Sequence, residues 1–408
     1  MLKHRFLVAQ LGARMHYAIP RMLYEGGRLE RFYTDICAVQ GWPRLLRMLP
    51  VSLRPSGLRR LLGRVPHGVP NGKISALTSL GWAYSRARTR GRASEQAAEV
   101  HIAFGKKFCE TILQKGLGKA TATYTFNSAG LELMRAAKQI GLSTVMEQTI
   151  APRAVELEIL AEAVQRYPGW AKATPSGPYI NAFIAREEEE WQHADLILCG
   201  SEFVYSAVVS RGGPVDKCRV VPYGVDNLFQ LDRGPRRPGP LRVLTVGEVG
   251  LRKGSPVVWE AAKMVGEQAR FRMVGGQVVP FEMLKNKPAN VELVGVVPRS
   301  DILEQYRWAD VFLLPSLCEG SATVIYEALM SGLPVICTKN SGSIVEDGIS
   351  GFIVPTLDPI QVAECILTLV RQLKRLVELS TAARACAESV GISTYRQRLL
   401  ATLEKLPR

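Results

Sequence analysis

The 408-residue chain predicts an open α/β protein made of two units, each built on a parallel sheet. Short apolar runs of strand length alternate with stretches of helical spacing along the whole chain. A polar segment rich in Pro and Arg, residues 232–240, interrupts that alternation near its middle and reads as a linker. The chain is also large enough: with 47% hydrophobic residues it can fill two cores, and no apolar stretch reaches the length of a bilayer span.

Ahead of the linker, strands are expected at residues 5–11, 32–37, 121–126, 143–146, 196–199 and 219–221. After it they are expected at 242–247, 271–274, 291–294, 311–314, 335–337 and 352–354. The chain then divides into a first unit, 1–230, a linker, 231–240, and a second unit, 241–392, with an amphipathic helix over 393–406 leading to the end at 408. In such sheets ligands bind at the carboxyl ends of the strands, so two facing units leave a cleft for them.

The most informative segment follows the run Val311-Phe-Leu-Leu-Pro315. Val324, Ile325, Ala328 and Leu329 have helical spacing, Gly332 closes the helix and Pro334 prevents its resumption. The helix is expected to start between Gly320 and Ala322, with exposed amides at Gly320, Ser321, Ala322 and Thr323 that can seat a diphosphate. Glu319 precedes that seat and Glu327 lies about 7 Å further along the helix axis. Acids outside and amides between suit a nucleotide-sugar, whose vicinal hydroxyls flank its phosphates. A second glycine-punctuated loop, Glu248-Val-Gly-Leu-Arg-Lys-Gly254, places Arg252 and Lys253 at a helix start. Helix N-termini disfavour cations, so these two either face solvent or answer a bound anion.

The Glu319–Glu327 segment resembles the paired-glutamate signature of retaining glycosyltransferases with the GT-B fold, closest to glycosyltransferase family 4 (group 1). The loop ending at Gly254 and residues 194–203, 220–226 and 344–354 are similar to other segments of that family. The resemblance implies that Glu319 contacts the donor sugar, Glu327 the ribose and Lys253 the diphosphate, with Glu319 and Lys253 serving the chemistry. Gly12 matches the family's glycine loop near sugar and acceptor, although a plain tight turn reads as well from the residues. By the same analogy the helix over 393–406 crosses back onto the first unit. Two departures stand out. Glu248 occupies the position of a frequent arginine, leaving that contact to Arg252 or to none. Glu147-Gln148 stand where many members place a histidine toward the sugar.

Charge separates the units: residues 1–240 hold 33 basic against 20 acidic residues, and 241–408 hold 19 against 17. From 36 to 94 there are eleven basic residues and no acid, among them Arg44, Arg47, Arg59, Arg60, Arg90 and Arg92. With the apolar stripe Leu58, Leu61, Leu62 and Val65, and with Leu45, Leu46 and Leu49 ahead of it, residues 44–92 read either as a surface for an anionic membrane or as a solvated basic face over ordinary core leucines. Sparse aromatics argue against nucleic acid. The acid run in Arg186-Glu-Glu-Glu-Glu-Trp191 reads as an exposed helix face without a catalytic role. Eight cysteines without paired spacing read as buried thiols of a reducing compartment, hence a cytoplasmic protein. Five scattered histidines and the lack of an Asp-x-Asp motif lead to no expected metal or other cofactor, and the His16 position reads as a polar loop.

The combined expectation is a retaining glycosyltransferase of GT-B architecture, two facing Rossmann-like domains, that moves a sugar from a nucleotide-sugar to a glycan or lipid-linked acceptor. The alternatives are a nucleotide-sugar epimerase on the same fold, or a degenerate binding protein.

Overall fold

The computed structural model describes residues 3–50, 53–88, 95–232, 234, 236 and 238–407. Arg90 and Arg92 of the basic segment, linker positions 233, 235 and 237, and the chain ends 1–2 and 408 lie outside the described residues.

Two parallel sheets form the core. The first holds β1 Phe6–Gln10, β2 Leu29–Thr34, β3 Ile74–Ala76, β4 Ala122–Phe126, β5 Ser143–Gln148, β6 Leu196–Cys199 and β7 Cys218–Val220, in the order β3-β2-β1-β4-β5-β6-β7. The second holds β8 Leu241–Val246, β9 Ala269–Val274, β10 Val291–Gly295, β11 Val311–Leu314, β12 Val335–Thr338 and β13 Gly351–Val354, in the order β10-β9-β8-β11-β12-β13. Strands β1, β4, β11 and β12 are buried along their whole length, as expected of strands covered by helices on both faces. Two Rossmann-like domains result.

Every strand expected from the sequence forms, with ends shifted by a few residues, and β3 is an addition. Three residues between a Pro-Asn-Gly turn and a helix are too few to show a period. The order of each sheet reverses direction once, between β1 and β4 and between β8 and β11, and these switch points are where loops diverge to leave a ligand crevice.

The last helix, Ile392–Leu403, lies on the first sheet's side of the molecule. Val225 bridges Gly391, Tyr395 packs against Tyr223 at 5.6 Å, Arg28 pairs with Glu404 at 2.5 Å, and Ser143 Oγ donates to the Pro407 carbonyl. Trp170 and Trp259, edge to face at 4.7 Å, join the two units elsewhere.

Candidate functional site

The loops that follow β8 and β11 emerge side by side at the second sheet's switch point. The first closes in a 3-10 turn, Leu251–Lys253, and ends on Gly254 with φ +70°; a β-carbon there would come within 2.0 Å of the Pro315 carbonyl oxygen. Only glycine lets that turn settle against the loop after β11, where the Leu317 amide then donates to the Arg252 carbonyl at 2.9 Å. The consequence is electrostatic. Arg252 and Lys253 converge on one oxygen of Glu319, each at 2.7 Å, and Arg252 also donates to the Cys318 carbonyl at 2.9 Å. Glu248 is exposed beside them.

Glu327 sits on the helix Thr323–Met330 and accepts a hydrogen bond from Tyr306 Oη at 2.7 Å. Burial raises its pKa to about 7, against the opposing pull of the Tyr306 hydrogen bond and the Arg299 charge.

The expected seat between the two acids differs from the sequence reading. Its helix begins at Thr323, and Gly320, Ser321 and Ala322 are buried rather than exposed. The Ala322 amide is bonded to the Ser341 carbonyl at 3.2 Å, Ser321 Oγ to Tyr326 Oη at 2.6 Å, and the Gly320 carbonyl accepts from Ser201 Oγ at 2.5 Å. A β-carbon on Gly320 would lie 1.8 Å from the Thr149 carbonyl oxygen of the first domain. The turn is covered because the opposite domain packs on it. Among the described residues the amides of Ser321 and Thr323 have no backbone partner, so part of the donor array is retained.

On the facing side, Gly12 follows β1 with φ +93°, its amide bonded to Asp35 Oδ1 at 3.1 Å and its α-carbon facing open space. Next to it lies a cavity of about 90 Å³ lined by Arg14, Met15, Ile19, Phe126, Glu147, Thr149 and Tyr223. Glu147 is buried there between the hydroxyls of Tyr124 and Tyr223, and burial raises its pKa. Arg14 donates to Thr149 Oγ1 at 2.6 Å, so the residue whose carbonyl touches the Gly320 turn also meets this cavity. Arg14 and Thr149 were not singled out in the sequence, and Tyr223 entered only as part of the family-like segment 220–226, with no role of its own. Position 147 did, as the departure from the expected histidine.

The acid run is the clearest correction. Arg186, Glu187, Glu190 and Trp191 are buried, not exposed. Glu190 accepts from the amides of Ser128 and Gly130, and Glu187 from Asn127, Gln148 and the Arg153 amide. Burial pushes the Glu190 pKa up to about 8. These carboxylates cap the loops after β4 and β5 from inside, a role that a charge run does not announce. His16 meets Arg299 of the second domain, and Arg299 also faces Asp226 at 3.6 Å. A larger cavity of about 160 Å³ between Trp170 and Trp259 contains none of the expected site residues. Among the described residues no group of three or more His, Cys, Asp or Glu side chains could hold a metal ion.

Comparison with known proteins bears on this geometry. Residues 240–372 match the family model of glycosyl transferases group 1. The amylovoran biosynthesis glycosyltransferase AmsK of Erwinia amylovora is 30% identical over 231 residues, 52% of this chain and 56% of that protein. The putative colanic acid biosynthesis glycosyltransferase WcaL of Salmonella typhimurium is 30% identical over 198 residues, 44% and 48% of the two chains. The chain thus spans about half the length of the curated relatives it matches. Similar solved structures include Anabaena Alr3699/HepE in complex with UDP-glucose, with 15% identity, a TM-score of 0.62 and coverage of 99% and 100%. Another is the sucrose-phosphate synthase of Thermosynechococcus elongatus, with 14% identity, a TM-score of 0.69 and coverage of 99% of both chains. The segment that matches the glycosyl transferases group 1 model thus carries Arg252, Lys253, Glu319 and Glu327, within a two-domain fold of the GT-B type.

Proposed function

We propose that the protein is a retaining glycosyltransferase of family 4 that moves a hexosyl group from a nucleoside-diphosphate sugar to a glycan or lipid-linked acceptor. The reading places it in the cytoplasm, in the synthesis of a cell-surface polysaccharide, with no metal or cofactor. The observation that carries it is the convergence of Arg252 and Lys253 on Glu319 at the second sheet's switch point, with the half-buried Glu327 on the helix that follows. Relatives named for amylovoran and colanic acid synthesis support the process, and a structural neighbour solved with UDP-glucose supports the donor class.

Without donor, the two cations neutralise the acid. A diphosphate entering beside Ser321 and Thr323 offers them a stronger anion, which frees the Glu319 carboxylate to accept from sugar hydroxyls. Glu327 takes the ribose diol. As the glycosidic bond breaks, negative charge grows on the leaving phosphate, where Lys253, Arg252 and the helix amides stabilise it. No second carboxylate stands out as a base, so the departing phosphate oxygen takes the acceptor proton on the same face, which retains the anomeric configuration. Gly12 and the cavity at Glu147 lie on the acceptor side of the cleft.

The test is a pair of variants. Glu319→Gln should cut turnover by about a hundredfold with a modest loss of nucleotide binding, and Glu327→Ala should weaken nucleotide binding about tenfold. Turnover is read as sugar transfer and binding as the thermal shift produced by a panel of nucleoside diphosphates. Parental transfer rates in both variants would remove the assignment.

A further inference from the structure

The basic segment contains a feature that the site does not use. The apolar stripe expected on the helix Ser56–Leu62 turns inward, with Leu62 buried and Leu58 and Leu61 half-buried. The residues left in solvent come from the preceding segment: Leu45 is 67% exposed, Met48 84% and Leu53 68%, with Leu49 and Trp42 beside them. Trp42 meets the exposed Trp82 of the helix Thr78–Arg88 edge to face at 5.4 Å. Single exposed apolar residues are ordinary; six in one short neighbourhood are not.

This projection is built rather than frayed. The Arg54 guanidinium holds the carbonyls of Arg47 at 2.8 Å and Leu49 at 2.7 and 2.9 Å, and Arg59 in turn donates to the Arg54 carbonyl at 2.8 Å. Those bonds fix the chain into a knuckle with Met48 at its crest. Around it Arg44, Arg47, Arg59 and Arg60 are exposed, and no acid occurs between residues 36 and 94. Such a rim repels a second copy of itself, which disfavours a symmetric dimer through this face. It attracts an anionic surface that can also receive aliphatic side chains and tryptophan edges.

We propose that residues 42–50 with Leu53 insert into the headgroup region of an anionic phospholipid bilayer, the surrounding arginines resting on lipid phosphates. The proposal deepens the function above, on which its purpose rests, by stating where the enzyme meets a membrane-held acceptor. The segment leaves the first sheet at the carboxyl end of β2, where Asp35 bonds both the Gly12 amide and, at 3.2 Å, Arg64. The knuckle is thereby braced from the same loop that shapes the cleft.

The experiment is co-sedimentation of the full chain with vesicles of phosphatidylcholine alone and of phosphatidylcholine mixed with phosphatidylglycerol. Binding is expected only to the anionic vesicles and should weaken as salt rises. Arg44→Glu and Arg47→Glu should each lower it about fivefold, and the pair Met48→Asp with Leu53→Asp about tenfold or more. The proposal is overturned if the parent ignores anionic vesicles or if the variants bind like the parent. It is equally overturned if the same substitutions abolish a dimer seen by ultracentrifugation while vesicles are not bound. A nucleoside-diphosphate thermal shift in the same preparations separates the two readings: its absence in the parent counts against the donor site and leaves the lipid result standing.

Discussion

Glu327 is a carboxyl group whose environment opposes its charge. Burial lifts its pKa to about 7, and the groups facing it are the Tyr306 hydroxyl, Arg299 and Asp226. The usual carboxylate value is about 4.5, so the folded state holds an extra proton between those values and loses stability as pH rises through the window. Ribose hydroxyls favour the ionised form, which accepts from both of them. Nucleotide binding is therefore expected to release a proton and to strengthen between pH 6 and pH 8, by up to about tenfold. Calorimetric titration at the two pH values checks it; Glu327→Gln should flatten the dependence, and an unchanged slope in that variant would assign the proton elsewhere. The same physics governs Glu190, with its pKa near 8, but that group faces amides inside the first domain and no ligand.

At the scale of elements, the site exists because two loops touch, and the contact passes through Gly254. Alanine there combines a left-handed φ with a β-carbon 2.0 Å from a backbone oxygen, neither of which a rotamer change relieves. Gly254→Ala should cost about 3 kcal/mol in denaturant unfolding and also weaken nucleotide binding, since the turn carries Lys253. Gly12→Ala provides the contrast: its φ is also positive, but the space around it is open. How legible these elements were follows from period and punctuation. The strand at 311–314, the Gly332 stop and Pro334 are written in local residue types, and so is the glycine at 254. What the sequence could not convey was packing between distant segments. The run 186–191 looks solvated until the loops after β4 and β5 supply amides to Glu187 and Glu190. The turn at Gly320 looks open until Thr149 of the other domain covers it. The leucines 58, 61 and 62 read equally as a membrane-facing stripe or as core beneath a basic surface, because a stripe's period does not say which way it points; in the structure they turn inward.

At the scale of the whole molecule, the two domains share buried apolar packing, including Phe229 against Tyr306 and Trp170 against Trp259, and polar contacts near the cleft add to it. Arg299 reaches across to His16 and Asp226, and Ser331 Oγ donates to the Phe229 carbonyl at 3.0 Å. Burial and the Arg299 charge both lower the His16 pKa, so a proton on His16 opposes the contact, which weakens as pH falls below the imidazole's ordinary 6.5. Arg299→Ala should favour the open arrangement: a larger radius of gyration by solution scattering, and a three- to tenfold lower kcat/KM (about 1 kcal/mol) with the fold's stability nearly unchanged. An unaltered radius would show that other contacts hold the domains. The final helix adds a constraint of a different sort. The backbone passes between the lobes twice, once ahead of β8 and once on the return before Ile392, where Val225 and Gly391 lie paired. A joint with two pins swings about the line joining them, as a door does, and resists twisting. It also means that the outer lobe is threaded into the inner one, so cutting the polypeptide at the linker yields one fragment missing Tyr395, Leu399 and Leu403 from its own interior rather than two self-sufficient halves.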